Sequence, residues 1–313
     1  MFPIPVTAGT VPGQDGRRDH PSGPGHRGGR RGGARGLQGG VPGSRDVRRG
    51  APAPAAPAGG GPHAVARLAR TRHLARTDPE GCWLAEDGGR VVGAALSMRR
   101  EGVWILALFA VEPGLQGRGV GRLLLERAAA HGRGCLRGML CASPSPAAAR
   151  RYRQAGFTLH PTMRLTGRVD RAGLLDPGDI PVHPGGAAQF HLLDSVDRRL
   201  RGAAHGPDHA FLLAHCDELL IVDSLAGSGY CYRTGGEVKL LAATSKRIAA
   251  RLLREALARV PDGEEALVEF LTAEQEWAVD VGLEVGLALG TRGYLAVRGM
   301  RPPAPYVPHP GFL

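Results

Sequence analysis

The stretch EPGLQGRGVG, residues 112–121, sets four glycines, a glutamine and an arginine between two segments of opposite character. Before it, VWILALFAV (103–111) is apolar throughout and of strand length, so it reads as a buried central strand. After it, VGRLLLERAAAHG (120–132) places Val120, Leu123, Leu124 and Ala128 on one helical face and stops at Gly132. A loop at such a junction presents free backbone N–H groups and the positive end of a helix dipole, so it holds an anion without needing lysine. Glycines at 117, 119 and 121 permit positive φ and let a diphosphate approach the main chain.

Spacing then narrows the ligand. A nucleotide P-loop requires Lys and Ser/Thr after its last glycine, but Val120 and Gly121 follow Gly119. A dinucleotide fingerprint requires glycine three residues beyond Gly119, where Arg122 stands. What remains is QxxGxG, formed by Gln116, Gly119 and Gly121. Farther on, RRYRQAGF puts Tyr152 shortly before Gly156 and Phe157.

These two linked motifs, in this order, resemble the GNAT superfamily of acetyl-coenzyme A dependent N-acetyltransferases, over roughly residues 80–167. The resemblance implies acetyl-CoA as cosubstrate, with Phe109, Ala110 and Val111 along its pantetheine. Gln116, Gly117, Arg118, Gly119, Val120, Gly121 and Arg122 would lie around its diphosphate. It implies direct attack by an amine on the thioester, with Tyr152 as proton donor to the leaving thiolate; Glu112, at the end of the cofactor strand, is the candidate relay for the amine proton. Ser145 stands where the family often has Asn. Of the strand and two helices that normally open the fold and shape the acceptor site, only HAVARLARTRHLART (63–77) is a candidate.

The remainder of the 313 residues supports two units of ordinary size. Residues 1–62 are rich in Gly, Arg, Pro and Ala and poor in large apolar side chains, so a disordered extension is expected. The net charge of +11 raises nucleic acid as a partner, but the arm lacks interleaved aromatics, and nucleic acid is not expected. Five cysteines without a CxxC pair suit free thiols in a cytoplasmic protein. No apolar run is long enough for a membrane span.

Past a linker at 168–186, the same order of elements recurs. GFTLHPTMR (156–164) echoes GYLAVRGMR (293–301), and GRLLLERA (121–128) echoes ARLLREAL (250–257). The expected fold class is therefore α/β with a mixed sheet: two GNAT-like domains in tandem, 63–167 and 187–313, behind the extension. Aligning the Leu-rich helices sets Ser245, Ile248 and Ala250 against Gln116, Gly119 and Gly121. Ile248 would obstruct a phosphate, so the second domain reads as degenerate, serving packing, homodimerisation or the acceptor pocket. His205 and His209 in HGPDH read as a polar loop, and no metal is assigned. The function expected is N-acetyl transfer to an amine of a small molecule or peptide; the alternative is a non-catalytic acyl-CoA sensor.

Overall fold

The computed structural model describes residues 62–174 and 179–313. The extension at 1–62, and the nucleic-acid reading attached to it, thus lie outside the described residues except for Pro62, which opens α1 (Pro62–Thr77). The first half continues as β1 (Cys82–Asp87), β2 (Arg90–Arg100), β3 (Val103–Val111), α2 (Val120–His131), β4 (Arg137–Ala142), α3 (Pro146–Gln154) and β5 (Thr158–Gly167). The second half contains β6 (His183–Pro184), α4 (Phe190–Arg201), α5 (Pro207–His215), β7 (Glu218–Ser224), β8 (Gly227–Thr234) and β9 (Glu237–Ala243). It ends with α6 (Lys246–Ala258), β10 (Ala266–Leu271), α7 (Glu276–Glu284), β11 (Ala288–Arg298) and β12 (Tyr306–Val307).

The fold is mixed α/β, and its strands form one mixed sheet in the order β1-β2-β3-β4-β11-β5-β10-β9-β8-β7-β6, with β12 attached to β9. The halves therefore share a sheet instead of each carrying its own. β11 of the second half lies between β4 and β5, and β5 of the first lies between β11 and β10. The two segments that echo each other in sequence are antiparallel neighbours, with Leu295 opposite His160 and Ala288 opposite Thr166. Each supplies the main-chain partners that the other needs on one edge. The expected linker also contributes to the sheet, since β6 pairs with β7.

Two cores lie on one face. Trp104, Leu124, Tyr152 and Phe157 pack beneath α2 and α3, and Leu252, Val268, Trp277 and Val281 pack beneath α6 and α7. Alternation along β5 shows that they share a face: Leu159 joins the first core, and Met163 and Leu165 join the second. On the opposite face a third core spans both halves, uniting Leu74 of α1, Leu193 of α4, Leu212 of α5 and Phe312 with Met98, Ile105, Met139 and Leu240.

Two expectations are corrected. HGPDH is no polar loop: Pro207 opens α5, and His205 and His209 are fully buried. The stretch AEQEWAVDVGLEVGLAL (273–289) reads in sequence as one helix, yet α7 stops at Glu284 and residues 288–292 already belong to β11, because Val285 and Leu287 turn into the core.

Polar contacts also join the halves. Arg100 of β2 donates through Nε to Asp208 Oδ2 and through Nη2 to Oδ1, both at 2.8 Å, and His73 Nε2 meets Asp208 Oδ1 at 2.8 Å. Arg100 also donates to Asp78 at 2.9 Å, and Arg198 of α4 donates to Glu101 at 2.6 Å. α4 and α5 of the second half thus pack against the first.

Candidate active site

β3 and β4 run parallel but pair only at Val103 with Arg137, Trp104 with Gly138 and Ile105 with Met139. Beyond Ile105 they diverge, although β3 remains paired with β2 on its other edge as far as Val111. The last residues of β3 therefore have one free edge, a row of main-chain donors and acceptors facing a wedge. That is what an extended amide-bearing ligand needs.

The loop at the mouth of this wedge is built for an anion. Gly117 and Gly119 adopt φ of 78° and 88°, in the left-handed region, and a Cβ at either would meet nothing within 4 Å. The space above them is open. The first backbone bond of α2 runs from Leu123 N to Gly119 O, so the N–H groups of Val120, Gly121 and Arg122 have no acceptor within the helix. Gln116 serves the loop itself: its Nε2 donates to Val111 O at 3.1 Å and ties the loop to the strand end. Gly121 has another purpose, since a Cβ there would lie 3.3 Å from the Phe109 ring.

Together these elements line a cavity of about 680 Å³. Phe109, Ala110, Val111, Gln116, Gly117, Gly119, Gly121 and Arg122 all face it. Arg118 stands on the exposed loop, and Val120 is buried in the core beneath α2, so neither lines the cavity. Of the opposite wall the sequence reading named only Ser145 and missed the rest, which includes Ser143, Arg150, Arg151 and Gln154. Its signal was the i, i+4 spacing of Arg150 and Gln154 along a short helix opened by Ser145 and Pro146. Ser145 Oγ accepts from Ala148 N at 3.4 Å and so caps α3.

Tyr152 lies on α3 but is buried in the core and does not line the cavity; its ring is edge-on to Phe109 at 6.2 Å. Burial pushes its phenol up to about 12, so it stays protonated at neutral pH. Glu112 does not line the cavity. Its Oε1 accepts from Arg90 at 2.8 Å, which holds the carboxyl below its usual range, and its Oε2 is buried without a hydrogen-bond partner among the described residues.

The second half fills the corresponding wedge with its own backbone. β9 and β10 pair in parallel only at Glu237 with Leu267, and β12 fills the gap beyond, with Tyr306 opposite Ala242 and Val307 opposite Leu241. Gln275 secures this segment by donating to Pro303 O and accepting from Tyr306 N. Residues 112–119 separate strand from helix in the first half, whereas only Thr244 and Ser245 do so in the second. Ile248, aligned by sequence with a loop glycine, lies inside α6 on its buried side.

Asp197, His205 and His209 bring three potential metal-ligand atoms together. Their hydrogen bonds give a different account. His205 Nδ1 and His209 Nε2 both donate to Asp197 Oδ2, at 2.7 and 3.0 Å, and Tyr230 donates to Oδ1. Arg201 Nη1 meets His205 Nε2 at 2.5 Å, and because arginine can only donate, that nitrogen accepts and Nδ1 carries the proton. A metal on Nδ1 would force a proton onto Nε2, against the guanidinium. The donor set fits a hydrogen-bonded network that converges on one carboxylate. Burial, with Arg201 alongside, lowers His205 to about 4; despite its burial, the His205 and His209 contacts hold Asp197 well below the carboxylate range.

Comparison with known proteins agrees with this geometry. Residues 53–157 match the family model for the Acetyltransferase (GNAT) family. A putative acetyltransferase from Pyrococcus horikoshii is 17% identical, with a TM-score of 0.63 over 82% of this chain and 85% of that one. A GCN5-related N-acetyltransferase from Kribbella flavida is 18% identical, with a TM-score of 0.50 over 76% of this chain and 65% of that one. At such identities these structures speak for the fold. No curated protein matches the sequence. Over residues 53–157, fold and loop thus resemble those of GNAT-type acetyltransferases. The matched residues include β3, the glycine loop and α3.

Proposed function

We propose that the chain is an N-acetyltransferase that moves acetyl from acetyl-CoA to an amine of a small molecule or peptide, with one cofactor site, in the first half. The observation that carries this reading is the coincidence of the free β3 edge, the positive-φ glycine loop and the open N-terminus of α2 around one cavity. The edge of Phe109 to Val111 suits the pantetheine amides. The loop amides and Arg122 suit the diphosphate, with Arg118 at its outer rim and Val120 contributing its backbone N–H. Arg150 and Arg151 add positive charge on the opposite wall.

In the reaction the amine nitrogen forms a bond to the thioester carbonyl carbon and the carbon–sulfur bond breaks. Tyr152 donates its proton to the departing thiolate, and the amine proton leaves through water toward Glu112. A phenol at about 12 still carries its proton at neutral pH, as a donor to the departing thiolate must. We read the chain as two GNAT-like units in tandem, 63–167 and 187–313, the second with its wedge closed by its own β12 and its α4 and α5 covering the first. A cytoplasmic setting fits five cysteines that all stand free. The test is thiol release from acetyl-CoA across a panel of amines; release with at least one amine supports the reading, and release with none contradicts it.

A further inference from the structure

A second cavity, of about 250 Å³, lies between α1, α5, the first residues of β9 and β10, and the segment 308–310. It shares no lining residue with the cofactor cavity. Its charged lining comprises Arg67, Arg70, Glu237, Lys239 and Glu269. Both carboxylates are already engaged: Glu237 with Lys239, and Glu269 with Arg292 at 2.6 Å. That leaves Arg67 and Arg70, one turn apart on α1, with no acidic partner among the described residues.

Arg70 is the more constrained of the two. Its Nε is buried without a hydrogen-bond partner among the described residues, and its guanidinium packs so closely on Gly311 that a Cβ there would overlap it. Burial, with Arg67 alongside, lowers its pKa, so the cation is held at a cost. His309 adds a neutral donor. Its Nδ1 accepts from Gly311 N at 3.0 Å, which leaves the proton on Nε2, and burial lowers the ring to about 3. Two guanidinium groups with no acidic partner among the described residues and an N–H donor thus share this space with two carboxylates that are already engaged.

We propose that this cavity binds a small oxyanion, the carboxylate or phosphate group of a small molecule, clamped by Arg70 with Arg67 and His309. The cavity is below the roughly 300–1,000 Å³ of sites for drug-sized ligands, so its occupant is small. The anion neutralises the pair on α1 and bridges the first half to β9, β10 and the final segment of the second. This site is independent of the acetyltransferase reading.

Calorimetric titration at matched ionic strength, with inorganic phosphate in one arm and succinate in the other, tests it. The expected result is saturable binding of at least one anion to the full chain. That binding persists in Gly119→Trp, which fills the cofactor loop, and weakens at least tenfold in Arg70→Gln. Arg67→Gln, on the exposed side of α1, provides the same readout should Arg70→Gln fail to fold. Saturable binding of neither anion, or binding unchanged by both arginine substitutions, overturns the proposal.

Discussion

Tyr306 pairs with Ala242, the penultimate residue of β9, whereas Ala110, the penultimate residue of β3, faces an open cavity. One protein thus contains the same wedge twice, once filled by its own backbone and once free. Tyr306 is fully buried, so Tyr306→Ala is expected to cost about 3–5 kcal/mol of unfolding free energy in urea titrations. The variant should still bind one acetyl-CoA per chain, because the short Thr244–Ser245 connection holds no phosphate loop.

Tyr152→Phe keeps the ring against Phe109 and removes only the proton donor. Steady-state thiol release should show kcat lower by about 10² or more, with KM for acetyl-CoA little changed. An unchanged kcat would assign Tyr152 to packing alone.

The Arg100 and Asp208 pair joins the halves where both side chains are buried. Removing one partner strands the other charge, so Arg100→Ala should destabilise the fold by about 3–5 kcal/mol. Chemical denaturation should show this as a single transition involving both halves, since β5 and β11 interleave.

Stability should fall as the solution is acidified from neutrality. His205 at about 4 and His309 at about 3 both lie below the ordinary histidine value of about 6.5. Between those values the unfolded chain binds protons that the folded chain refuses, so the lost stability grows as pH falls from about 6.5 toward 4. Asp197 and Asp208, both held low, add to the loss only at more acid pH. Denaturation midpoints across this range check the slope, which His205→Gln should flatten.

Much of the first half was legible because local signals and tertiary context agree there. β3 is continuous and apolar, the loop glycines are required by φ, and Gly132 ends α2 where the periodicity does. The strand interleaving was not legible, because nothing local to GFTLHPTMR or GYLAVRGMR states which edge each will join. α5 was hidden by its polar start: Asp208 and His209 look like loop residues until Arg100, His73 and Asp197 are brought to them through space. Arg150 and Arg151 were missed as site residues because a charge on a short helix reads as a solvated face.

The central claim is that the glycine loop and the free β3 edge form one acetyl-CoA site per chain. Calorimetric titration of acetyl-CoA into the wild type and Gly119→Ala tests it most directly. At φ 88° a side chain costs about 1–2 kcal/mol, and the loop sheds that strain by leaving the binding conformation, so affinity should fall about tenfold. The account predicts one equivalent bound by the wild type and this loss in the variant; no binding, two equivalents, or equal affinity in both proteins would contradict it.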